Sequence, residues 1–120
     1  MNEITQLVDH YVAIWHEPDA DAEQRRRGVA QLWAKDGVQF TQSREIRGHK
    51  SLEERVKAAH EEFVKTGGFL FRRLGDVQGH HNALKFNWEM VPAGGGDVAA
   101  TGTIFLLLSD DGRIRFDYQF

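Results

Sequence analysis

The chain has 120 residues, enough for one domain and short for two. Apolar residues make up 41% and charged residues 28%, the proportions of a folded globule rather than a disordered chain. The net charge of −3 provides no basic footprint for nucleic acid, and the absence of cysteine excludes disulfides and thiolate chemistry. No apolar run approaches the ~20 residues of a membrane span, and Met1-Asn2-Glu3 lacks the basic start of a secretory leader. A cytoplasmic location is the expectation.

The spacing predicts a helix over residues 3–16, with Ile4, Leu7, Val8, Tyr11 and Trp15 on one face. Glu17-Pro18-Asp19 ends it, because proline disfavours helical geometry in the residue before it. A second helix is expected over 21–35, opened by Asp21 and Gln24 as a capping box and striped by Val29, Leu32 and Trp33. Arg25-Arg26-Arg27 read as a solvated part of that helix, since adjacent residues point in different directions. Asp36-Gly37 is a stop and turn signal, and residues 38–41 alternate as a short strand. Ser51-Leu52-Glu53-Glu54 opens a third helix as a capping box, with Leu52, Val56, Ala59 and Phe63 as its buried stripe. Gly67-Gly68 closes it.

The hydrophobic period then changes from 3.6 to 2. Strands are expected at 69–78, 81–91, 98–109 and 113–120, joined by short turns that imply antiparallel pairing. The fold class is therefore α+β, three helices packed on a curved antiparallel sheet. In the second of these strands Leu84, Phe86, Trp88 and Met90 should face the helices, while Lys85, Asn87 and Glu89 face away. In the last, Ile114, Phe116, Tyr118 and Phe120 are expected inside, and Arg115, Asp117 and Gln119 outside. The strand before it is apolar on both faces, through Ile104, Leu106 and Leu108 on one and Phe105 and Leu107 on the other. A second copy of the chain is the simplest cover for the outer face, which predicts a homodimer through the sheet.

The aromatic residues either fill the core or line a hollow, and periodicity alone does not separate the two. The candidate ligand-binding set is Tyr11, Trp15, Trp33, Phe40, Phe63, Phe71, Phe86, Trp88 and Tyr118, with Tyr and Trp supplying polar tips. Six histidines show no metal-ligand spacing, and Gly94-Gly95-Gly96 lies between strands rather than before a helix, so no metal or cofactor is expected. Ser43, Ser51 and Ser109 lie in no nucleophile context. The candidates for moving a proton are Tyr11, His81 at a strand rim and Asp117, whose register near the end of the sequence is the least secure. One of Arg72 and Arg73 should point inward and would then need a carboxylate or an anionic ligand.

Several motifs stand in a recognisable order: Tyr11-Val12-Ala13-Ile14-Trp15, Gln31-Leu32-Trp33-Ala34-Lys35-Asp36-Gly37, Arg47-Gly48-His49, His80-His81-Asn82-Ala83-Leu84-Lys85-Phe86-Asn87-Trp88-Glu89 and Asp111-Gly112-Arg113-Ile114. Together they resemble the nuclear transport factor 2-like superfamily, near its SnoaL-like polyketide cyclase branch, over nearly the whole chain. The resemblance implies a single cone-shaped α+β domain of the cystatin-like type, a hydrophobic cavity and a homodimer. It implies no one activity, because such folds serve isomerases, cyclases, dehydratases, epoxide hydrolases and binders alike. Three positions where relatives place carboxylates hold Thr41-Gln42, Ile104 and the terminal Phe120. Three readings follow: a binder of a small hydrophobic molecule, a lyase or isomerase of a hydrophobic carbonyl or polyketide-like compound, or a structural module with a filled core.

Overall fold

The computed structural model describes residues 3–16 and 22–120. The helix-ending Glu17-Pro18-Asp19 and the capping Asp21 lie outside the described residues. Helix α1 spans Glu3–Ile14 and α2 spans Ala22–Leu32. Strand β1 follows at once as Trp33–Phe40, then β2 as Glu45–Arg47 and α3 as Gly48–Ala59, which continues as a π-helical segment His60–Thr66. Strands β3 (Phe69–His80), β4 (Ala83–Pro92), β5 (Ala100–Leu108) and β6 (Ile114–Gln119) complete the chain. No helix among the described residues is long and apolar enough to cross a membrane.

Six strands form one sheet in the order β2-β1-β6-β5-β4-β3, with the helices on one face. Neighbours pair antiparallel except β1 and β6, which run parallel, so the sheet is mixed rather than wholly antiparallel. The α+β class stands. Between the helices and the sheet lies a core that includes Val8, Tyr11, Leu32, Trp33, Leu52, Phe86 and Leu106.

Local departures from expectation have physical causes. The second helix ends at Leu32, because Trp33 and Ala34 are buried as the first residues of β1. Asp36-Gly37 is a distortion inside that strand, where register slips between Trp33 and Val38, and not a turn. A Cβ on Gly37 would stand 2.9 Å from the carbonyl oxygens of Ala34 and Ile114, so the backbones meet where only glycine fits. Helix α3 begins at Gly48, whose φ of 79° favours glycine, so Ser51 lies within the first turn and is not its cap. Strand β2 is too short to carry a period.

Strand β4 has the expected parity: Leu84 and Phe86 are buried against the helices, and Lys85 and Asn87 are exposed on the other face. Glu89 shares that outer face but is buried there, paired with Arg72 Nε at 2.6 Å. In β6 the expected parity is reversed. Leu108 pairs with Ile114, but Leu107 pairs with Phe116, so Arg115 is an extra residue opposite one step of β5. This bulge leaves Ile114 inside but turns Asp117 and Gln119 toward the helices, and Phe116, Tyr118 and Phe120 away. Asp117 is fully buried and Phe120 is 70% exposed, the opposite of what unbroken alternation predicts. Arg115 anchors the distortion: it donates to the Asp36 carbonyl (2.8 Å), meets the Asp36 carboxylate (3.2 Å) and lies over the Phe116 ring.

Candidate functional site

Between the helices and the inner sheet face opens a pocket of about 290 Å³. Helix α1 contributes Tyr11 and Val12, and Trp15, just past its end and four residues after Tyr11, lies beside them. Arg55 and Ala59 come from α3, and Phe63 from its π-helical continuation. The sheet supplies Phe71, then Phe86, Trp88 and Met90 from one face of β4, Ala100 and Ile104 from β5, and Gln119 from β6. The aromatic rings meet at open angles: Tyr11 with Trp15 and with Phe86 at 5.9 Å, and Phe71 with Trp88 at 5.6 Å. Edge-to-face contacts of this kind are favourable for aromatic pairs and fix the rings of the pocket wall against one another.

The polar atoms of the pocket form one connected cluster. Tyr11 donates its hydroxyl to Asp117 Oδ2 at 2.8 Å and accepts from Gln119 Nε2 at 3.0 Å. Gln39 Nε2 donates to the same carboxylate oxygen at 3.1 Å, and Gln39 Oε1 accepts from Arg55 Nε at 3.0 Å. Asp117 stands behind Tyr11, which faces the pocket. The other carboxylate oxygen, Oδ1, and the Trp33 indole N–H are both buried without a hydrogen-bond partner.

Burial pushes the Asp117 carboxyl up to about 6, against the opposing help of Gln39, Tyr11, the nearby Trp33 N–H and the Arg55 charge. Burial, and then the Asp117 charge, raise the Tyr11 phenol well above its ordinary value, so it stays neutral. Burial also lowers His16, whose Nδ1 is bonded to the Val12 carbonyl (3.0 Å) and whose Nε2 accepts from Phe71 N–H (2.9 Å).

Of the residues singled out from sequence, Tyr11, Trp15, Phe63, Phe71, Phe86 and Trp88 come together at the pocket. Trp33 is buried behind Tyr11 and Trp15, at 5.6 and 6.4 Å, as core. Phe40 and Tyr118 lie on the opposite sheet face, stacked at 4.9 Å, because Gln39 and Asp117 take the inward positions. His81 is at the exposed tip of the β3–β4 hairpin, against His80, and does not line the pocket. Arg73 is the inward arginine of its pair and meets Asp9 of α1 at 3.6 Å. Sequence reasoning missed Arg55, Gln39 and Gln119. Arg55 stands one residue before Val56 of the apolar stripe, a position that reads as a solvated helix edge. The other two needed the strand distortions to be known.

Compared by sequence, the chain matches no family model and no curated protein. Compared by structure, it is similar over its full length to a proposed isomerase of the SnoaL-like family from Agrobacterium tumefaciens, with 29% identity, 97% of that chain covered and a TM-score of 0.86. The chain belongs to the nuclear transport factor 2-like, SnoaL-like superfamily. A proposed polyketide cyclase from Sinorhizobium meliloti shares the fold at 15% identity, with both chains fully covered and a TM-score of 0.67. A de novo designed protein of the nuclear transport factor 2 fold shares it at 18% identity, covering 99% of this chain and 85% of the other, with a TM-score of 0.73. In this SnoaL-like chain the buried acid comes from the middle of β6. The positions emptied by Thr41-Gln42 and Ile104 therefore do not leave the inner face without a carboxylate.

Because burial raises the Asp117 pKa, the unfolded chain releases this proton first as pH rises. Stability contributed by this group is fullest below about pH 4 and falls until pH passes about 6. A change from about 3.9 to about 6 corresponds to roughly 3 kcal/mol. Chemical denaturation at pH 4 and pH 7 is expected to show the wild type losing about that much relative to Asp117→Asn. An equal pH dependence in the two proteins would contradict the burial.

Proposed function

We propose that the chain binds a small hydrophobic molecule in this pocket, with the oxygen-bearing end of the ligand toward Tyr11, Arg55 and Gln119. The observation that carries this is the pairing of six aromatic side chains around a hollow of about 290 Å³ with polar atoms gathered into a single cluster. Ligand sites are commonly apolar hollows with a few directed polar groups, and this volume lies at the small end of their range of ~300–1,000 Å³. A ligand of one or two rings fits it.

A second reading, a lyase or isomerase of a hydrophobic carbonyl compound, is favoured by the Asp117–Tyr11 pair. When Asp117 is protonated it donates to the Tyr11 oxygen, and the phenol hydrogen is then free to face a ligand carbonyl. When Asp117 is ionised, Tyr11 donates back to it. The pair thus moves a proton between a buried acid and the pocket without ionising the phenol. The A. tumefaciens relative, itself described as a proposed isomerase, adds support.

The outer sheet face supports a further proposal, a homodimer. Phe40, Phe105, Phe116 and Tyr118 form a ring cluster there, with Phe105 and Tyr118 at 6.2 Å and Leu107 beside Phe116 in register. These side chains are half-exposed in the single chain. Apolar surface of this sort on a folded protein commonly meets a partner, and a two-fold axis buries the same patch on both copies.

Trp15 and Trp88 face the pocket, so ligand entry is expected to change tryptophan fluorescence. Titration with 1-tetralone should give saturable quenching, abolished by Ala100→Trp, which fills the hollow. Quenching that survives this substitution, or none at all, would count against the pocket. For proton transfer, deuterium exchange at the carbon beside the tetralone carbonyl should be accelerated by the wild type. Asp117→Asn should lower it at least ~100-fold, and equal rates would eliminate the second reading. Light scattering is expected to show a dimer for the wild type and a monomer for Phe105→Glu/Tyr118→Glu. A monomeric wild type at micromolar concentration would refute the dimer.

A further inference from the structure

The pocket holds a cation that its own polar cluster leaves without a counter-ion. Among the described residues seven other arginines form ion pairs with carboxylates: Arg26 and Arg27 with Glu23, Arg47 with Glu45, Arg72 with Glu89, Arg73 with Asp9, Arg113 with Asp111 and Arg115 with Asp36. Arg55 is half-buried at the pocket and is in none of these pairs. Its guanidinium lies over the Trp15 ring, 5.9 Å from the centroid, and its Nε is committed to Gln39 Oε1. Both Nη groups remain without a hydrogen-bond partner among the described residues.

Two carboxylates favour the Arg55 charge from beyond ion-pair distance. Asp117 is kept away by the intervening Gln39, and Glu62 is exposed on the π-helical segment. Arg44 opposes the charge, and burial opposes it more strongly. A guanidinium in such a place is costly until an anion meets it. Its planar fork matches the two oxygens of a carboxylate better than a single carbonyl oxygen, and charge-assisted bonds of this type are the stronger ones.

We infer that the ligand is a hydrophobic carboxylate whose two oxygens accept from the Arg55 Nη groups while its apolar body lies among Phe71, Phe86 and Trp88. This rests on the pocket reading above and names the ligand class. Gln39 and Trp15 act as positioning residues, holding the guanidinium at its edge and at its face. The Tyr11 hydroxyl and Gln119 lie in the same cluster and are not needed to neutralise the anion.

The test compares two probes of the same shape, 2-naphthoate and 2-naphthamide, by calorimetry on the full chain. The wild type is expected to bind the carboxylate at least ~10-fold more tightly than the neutral amide. Arg55→Met should remove that preference, bringing the two probes within about two-fold of each other, because the apolar contacts shared by both remain. Arg55→Lys should retain part of the preference, since it keeps the charge and loses the fork. If amide and carboxylate bind the wild type equally, or if Arg55→Met keeps the preference, the inference is overturned while the pocket reading stands. If neither probe binds, the pocket reading fails and the inference with it. Should Arg55→Met fail to fold, the wild-type ratio of the two probes still decides.

Discussion

A single extra residue in the last strand determines what the inside of this protein contains. At Arg115 the β5–β6 ladder gains one residue on one side, and every side chain beyond it changes face. Without the bulge Asp117 and Gln119 would meet solvent, and Phe116 and Tyr118 would enter the core. With it, a carboxyl sits among Tyr11, Gln39 and Trp33, and an aromatic cluster covers the outside of the sheet. The distortion is matched across the β1–β6 pair, where Gly37 allows the backbones to approach and Asp36 holds the Arg115 side chain.

Both proposed surfaces follow from that change of parity. The inner face gains a hydrogen-bonded cluster at one place on an otherwise aromatic wall, which is what gives an apolar ligand an orientation. The outer face gains rings that water solvates poorly. Burying a carboxyl costs stability when it is ionised, and the three side chains around Asp117 offset only part of that cost, since Oδ1 has no partner. Buried acids with raised pKa values beside a pocket are the kind of group that functional sites hold, which is the ground for the proton-transfer reading proposed above. The Tyr11 hydroxyl, neutral and bonded on both sides, is the link between that acid and the pocket.

Much of the fold was legible in the sequence because long periodic segments carry their own geometry. Leu84, Phe86, Trp88 and Met90 alternate through an undistorted strand, and all but Leu84 are found at the pocket; Tyr11 and Trp15 sit one helical turn apart and share it. The failures sit where alternation was interrupted. Asp36-Gly37 reads as a turn because that dipeptide usually is one, whereas here it is a strand irregularity held by a partner 79 positions away in sequence. Arg113-Ile114-Arg115-Phe116-Asp117-Tyr118 alternates perfectly on paper, and nothing local marks the bulge. Unbroken alternation therefore puts Tyr118 inside and Asp117 outside, the reverse of what the bulge produces. A helix-edge arginine such as Arg55 is ordinarily solvated, and nothing in its spacing tells that Trp15 and Gln39 meet it at the pocket.

The most direct measurement is a carbon-detected NMR titration of the Asp117 side-chain carboxyl. A buried acid behind Tyr11 should titrate with a midpoint of about 6. A midpoint near 4, the ordinary value of a solvated aspartate, would contradict the burial of this carboxyl behind Tyr11 on which the account rests.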